Sequence, residues 1–184
     1  MLLPEKYQWL DTIGTLPKLL ASGLQYLGVK EIPGAKSNPV ILDMARSLGV
    51  SDIYTNDDQS WCALFINHLI RINGKPPVDH KGDRYNLLRA KWLANWGAPV
   101  IRGEERLGDI LVFERPGGGH VGLYIFETDT TFGILGGNQG NQVSIIEIAK
   151  TRLIAARNYY ATNAPQSAQK YYMDSSGKLS TNEA

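Results

Sequence analysis

The sequence predicts an α+β fold, with helices in the N-terminal half packed on a C-terminal antiparallel sheet of about five strands. Three observations carry that expectation. Apolar residues recur at helical spacing up to about residue 100. Beyond it they come in short runs broken by Gly, Pro, Asp and Thr. Short turns separate those runs, and short turns join strands antiparallel.

The elements follow in order. Residues 15–29 (TLPKLLASGLQYLGV) place Leu19, Leu20, Leu24 and Leu27 on one broad helix face, with Gly28 as a stop. A second helix follows within 31–50, with Asn38 as N-cap, Pro39 in the first turn and Gly49 at the end. Residues 60–74 (SWCALFINHLIRING) form a third, capped by Ser60 and closed by Asn73-Gly74. A Pro/Gly loop spans 75–83, and 84–97 reads as a fourth helix with Leu88, Trp92 and Trp96 spaced by four. The strands are 108–115, 120–127, 132–138, 143–149 and 152–160. In the first of them Ile110 and Val112 alternate with Leu111 and Phe113, so both faces are expected to be covered. Residues 1–162 are thus expected to be a single domain, and the polar, aperiodic 163–184 a tail and a candidate for disorder.

Bulk properties exclude several classes of partner. The chain has 184 residues, 43% of them hydrophobic and 20% charged, which suits one well-buried core. A net charge of +1 gives no global field toward nucleic acid or anionic lipid. One cysteine makes no internal disulfide. No run approaches the ~20 apolar residues of a membrane span. The start MLLPEKYQWL lacks the basic and apolar regions of a signal peptide, so synthesis in the cytoplasm without one is expected.

The lone cysteine, Cys62, sits where the third helix begins. There the helix dipole and free N–H groups favour a thiolate, the reactive form, and can also serve an oxyanion. The competing reading is that Cys62 is a small core residue. A reactive thiol needs a base. His68, six residues along the same helix, points roughly 120° away from Cys62. His80 belongs to the Pro/Gly loop, where solvation is expected. His120 opens a strand just after a glycine run, where a substrate backbone can approach. If the hairpin joining 120–127 to 132–138 turns at about Asp129, opposed positions sum to 258, which sets Asn138 across from His120. Asn138 can then fix the imidazole tautomer in a Cys–His–Asn arrangement. A slip of one residue brings in Gln139 or Gly137, and Gln139 is the alternative third member. A glycine-rich turn is the plain reading of GGNQGN. Zinc is not expected, since the chain has no CxxC or HxxxH, and PGGGH lacks the GK[ST] of a phosphate loop.

A helix opening with WC, a GDILVF strand, an HVGLY strand and then LGGNQ together resemble the NlpC/CHAP-like group of papain-fold cysteine peptidases and amidases, bacterial and phage cell-wall hydrolases. LGVKEIPGAKSNPVI and WLANWG upstream share the likeness, which covers roughly residues 20–160. The resemblance implies a papain-like α+β fold and a hydrolase cleaving an amide of peptidoglycan, in the stem peptide or at the sugar–peptide link. It puts Cys62 in the nucleophile's place, His120 in the base's and Asn138 in the orienting position, where some relatives use His or Glu. No cofactor and no metal are expected. Asp57, Asp58 and Gln59 are candidates for the substrate-binding rim of the cleft, or else form a solvated loop favouring the helix start. Trp92 and Trp96 read first as core packing and second as a sugar-stacking surface. The expected partner is peptidoglycan or a muropeptide, reached at the cell wall or periplasm after release or delivery, as by a phage lysin or an injected effector. The alternatives are a papain-fold amidase or acyltransferase on a non-wall substrate, and a non-catalytic binding module.

Overall fold

The computed structural model describes residues 3–174 and Leu179. Three α-helices, α1 (Lys18–Leu24), α2 (Pro39–Leu48) and α3 (Cys62–Ile72), precede six strands. These are β1 (Ala98–Pro99), β2 (Ile110–Arg115), β3 (Gly118–Glu127), β4 (Thr131–Gly136), β5 (Ser144–Ala149) and β6 (Leu153–Asn158). They form one antiparallel sheet in the order β1-β6-β2-β3-β4-β5. The fold is therefore α+β, with six strands where about five were expected. The additional strand is β1, two residues paired to Asn158 and Arg157. The meander holds from β2 to β5, and β6 then crosses back to pair with β2 on its other edge.

Helix α2 forms as its caps dictate. The Asn38 side chain accepts from Val40 N–H, Pro39 takes the first position, and Gly49 closes the helix in the left-handed region at φ 70°. Helix α3 starts one residue later than its apparent cap. Trp61, not Ser60, is the N-cap, and it supplies no side-chain acceptor. Its first-turn N–H groups are thus left uncapped by a side chain. The expected fourth helix is instead two 3-10 turns, Arg84–Leu88 and Ala90–Asn95, broken where Arg89 adopts an extended backbone. A further 3-10 turn, Glu5–Asp11, lies where no element was expected.

Helix α3 is the centre of the molecule, with Cys62 to Ile70 all buried between α2 and strand β3. Burying a side chain the size of Phe65 or Leu64 contributes ~1.5–3 kcal/mol. The main core, with Trp61, Phe65, Val112, Val121 and Leu123, lies on this side of the sheet. A second cluster, with Leu111, Phe113, Tyr124 and Ile134, covers the other. Strand β2 feeds both, as its doubly apolar pattern requires.

Residues 163–174, expected as the start of a tail, pack back on the domain. Tyr171 C=O accepts from Glu127 N–H, Glu127 C=O accepts from Met173 N–H, and both Tyr171 and Met173 are buried. Residues 175–178 and 180–184 of that segment lie outside the described residues. Among the described residues no helix is long and apolar enough to cross a membrane.

Candidate active site

Cys62 is the first residue of α3 and is 5% exposed. Its neighbour Trp61 anchors the helix start. The indole Nε1–H donates to Glu31 Oε1 at 2.7 Å, and the ring stands edge-on to Phe65. Close approach of the chain at Gly137 completes this seat, since a Cβ there would lie 2.7 Å from Trp61 Cζ3 and 2.9 Å from Phe65 Cβ. Burial pushes the thiol pKa up. The Arg115 charge opposes that rise, followed by the backbone N–H groups of Ala63, Val121 and Cys62 itself. The sulphur thus meets strand β3 at Val121, the residue after His120.

His120 is buried, and its Nε2 lies 2.9 Å from Gln139 Oε1. The amide of Gln139 is oriented by its other end, where Nε2 donates to Ser144 C=O at 2.5 Å. Its oxygen must therefore face the ring, and His120 Nε2 is the nitrogen that carries hydrogen. Nδ1 is left as the basic nitrogen. Burial lowers the His120 pKa; the Gln139 bond raises it, and Arg115 and Arg152 lower it further. With the thiol raised and the imidazole lowered, each group is uncharged at neutral pH. No hydrogen bond joins Cys62 and His120 among the described residues.

Asn138 does not hold the imidazole. The summed register of 258 is correct at Leu123↔Leu135 and Tyr124↔Ile134, but β4 ends at Gly136. Asn138 then turns the chain with φ 57°, and Gln139 swings in beneath Gly136. A Cβ at Gly136 would sit 2.5 Å from Gln139 Oε1, so that glycine makes room for the bond.

The stretch before α3 is built inward. Asp57 is 1% exposed, and its Oδ2 accepts from Ile32 N–H at 3.1 Å and Asn38 N–H at 2.7 Å. Gln59 Oε1 accepts from Thr55 N–H while its Nε2 donates to Ile53 C=O. These two side chains tie the loop together, and Asp58 is exposed. A cavity of about 320 Å³ opens beside Cys62, walled by Ser60, Leu88, Arg89, Lys91, Arg115 and Gly119 among others, with none of residues 57–59 on its wall. Trp92 and Trp96 point their indole N–H groups at Asp79 C=O and Pro76 C=O, which fastens the loop before them.

The other histidines are placed elsewhere. His68 is a satisfied core residue, with Nε2 at 2.8 Å from the Tyr26 hydroxyl and Nδ1 at 2.8 Å from Ser47 Oγ. His80 is half-buried rather than solvated, and its Nδ1 has no partner among the described residues. Among the described residues no group of three or more His, Cys, Asp and Glu side chains could hold a metal ion.

Arg115 was not singled out by sequence. The signal was available in RPGGG, because a tight turn there pairs Arg115 with Gly118, two residues before His120. No protein-family model and no curated protein matches this chain.

Proposed function

We propose that this protein is a cysteine amidase or peptidase of papain-like type that hydrolyses an amide bond of peptidoglycan. The observation that carries this reading is a buried thiol at the start of α3 that meets strand β3 at Val121, one residue from a buried histidine, His120, held by a side-chain amide. Cys62 stands at an uncapped helix start with backbone N–H groups of Ala63, Val121 and Cys62 itself favouring its thiolate, and His120, the residue before Val121, is held by Gln139 through Nε2. A cysteine retained for packing alone needs neither the oriented imidazole nor the cavity at its side.

The chemistry follows from those positions. His120 Nδ1 takes the thiol proton as substrate brings the two together. The thiolate attacks the amide carbonyl, and the N–H groups at the start of α3 stabilise the oxyanion. The imidazolium returns its proton to the leaving amine as the C–N bond breaks. Water, deprotonated by the same nitrogen, then releases the acyl group from Cys62. Gln139 keeps Nε2–H in place through both halves. The papain-like assignment rests on the helix-borne thiol and strand-borne imidazole, and the wall substrate on the ordered motifs WC, GDILVF, HVGLY and LGGNQ.

The test is incubation of purified peptidoglycan with the protein and with Cys62→Ala. New amino groups released by the wild type alone support the reading. Absence of any release that depends on Cys62 overturns the wall substrate.

A further inference from the structure

The cavity beside Cys62 is lined by three cationic side chains, Arg89, Lys91 and Arg115, and by no acidic one. Two of the three are already matched. Arg89 pairs with Asp83 at 2.7 Å and with Asn86 Oδ1, and Lys91 pairs with Glu114 at 2.5 Å. The Arg115 side chain forms no hydrogen bond or ion pair among the described residues.

The β2–β3 hairpin explains why that guanidinium stays uncovered. Arg115 lies across from Gly118, and a Cβ at Gly118 would be 3.8 Å from Arg115 Nε, so the group flanks bare backbone. At Gly119 a Cβ would come within 2.7 Å of Lys91 Cγ, so the second glycine lets the 84–91 segment close against the hairpin and wall the cavity. A planar fork of N–H donors facing open space next to a nucleophile matches a carboxylate.

We propose that Arg115 forms a carboxylate subsite beside Cys62, so that the substrate is an amide carrying a free carboxylate near its scissile carbonyl, an acidic stem peptide rather than its amidated form. The stem-peptide part rests on the wall-hydrolase reading above, while the subsite itself stands on the cavity. The same charge that favours a Cys62 thiolate disfavours an imidazolium at His120. A bound carboxylate offsets the second effect, so binding an acidic substrate makes His120 the stronger base.

Alkylation of Cys62 tests the subsite without any wall substrate. Iodoacetate and iodoacetamide deliver the same carbon to the sulphur, and only the first carries a carboxylate. Their ratio of rate constants at neutral pH is the readout, since a general change in thiol reactivity cancels in it. Arg115→Gln is expected to lower the iodoacetate-to-iodoacetamide ratio about tenfold, and Arg115→Lys, which keeps the charge and loses the planar fork, to give a ratio between those of wild type and Arg115→Gln. Raising salt to about 0.5 M should lower the wild-type ratio too, because the guanidinium is exposed. Lys91→Gln, which removes a cation already paired, should change the ratio far less. A ratio that stays within about twofold in Arg115→Gln overturns the subsite, as does failure of both reagents to reach Cys62, because a cavity that delivers ligands to the sulphur must admit them. A shifted ratio without wall hydrolysis leaves the subsite standing and removes the wall substrate; hydrolysis without a shifted ratio does the reverse.

Discussion

Replacing Gln139 by alanine separates the two possible partners of His120. The change removes the acceptor 2.9 Å from Nε2 and leaves that N–H buried with nothing to bond. It also strands Ser144 C=O, which accepts from the same amide. An unsatisfied buried donor costs ~1–3 kcal/mol, and the imidazole is then free to place its hydrogen on Nδ1, the nitrogen that must stay basic. If that cost falls on the reactive arrangement, it corresponds to a loss of roughly 5- to 150-fold in rate, at 1.36 kcal/mol per decade. The assay is alkylation of Cys62 by iodoacetamide at neutral pH, joined to nitrogen NMR of the imidazole to read its tautomer. Asn138→Gly is the comparison, because glycine accepts φ 57° and the Asn138 side chain is not bonded to the ring. It should stay within about twofold of wild type. Equal losses in the two variants, or an unchanged rate and tautomer in Gln139→Ala, would refute the assignment of Gln139.

Two other outcomes follow from packing and charge. Gly137→Ala puts a Cβ within 2.7 Å of Trp61 Cζ3, which should cost ~1–3 kcal/mol in denaturant melts and slow Cys62 by shifting the start of α3. Asp109 is buried, which pushes its pKa from 3.8 up to about 7 despite the Arg106 N–H it accepts. Its favourable contribution is present in full below the unfolded carboxyl value and is lost as pH rises through about 7. Asp109→Asn should therefore gain stability relative to wild type between mildly acid and mildly alkaline pH, read as a growing difference in Tm. A difference that shrinks with pH would show the opposite linkage.

Much of the fold could be read locally. Asn38, Pro39 and Gly49 bound α2 because each acts on its own backbone or its neighbour's. The apolar run after Cys62 forced a buried helix, and the thiol's position at its start followed. The expected hairpin register held at Leu123↔Leu135 and Tyr124↔Ile134, but a bulge shifts it by one at Phe126↔Gly133 and Glu127↔Phe132, and it failed for Asn138 because the chain leaves the ladder there. Once a backbone turns through φ 57°, strand counting no longer says which side chain faces inward. The 84–97 segment misled for another reason. Its i, i+4 aromatic spacing is helical, but Trp92 and Trp96 are tied to carbonyls of the 76–79 loop, and Arg89 stays extended between two 3-10 turns. The return of β6 to β2 is a long-range pairing with no local signature. Arg115 went unnoticed because an arginine before a Pro-Gly turn looks like an ordinary surface residue until the cavity beside it is seen.

The coupling of Cys62 to His120 is tested most directly by the pH dependence of Cys62 alkylation in the wild type and in His120→Ala. With the imidazole as base, the wild-type rate should rise through the depressed His120 pKa, below its usual 6.5, and exceed that of a free thiol at neutral pH. Without the imidazole, the buried thiol should react only as pH passes its own raised pKa, above 9.0. Two superimposed profiles with a single rise above 9.0 would contradict the nucleophile–base pair and leave Cys62 as a packed core residue.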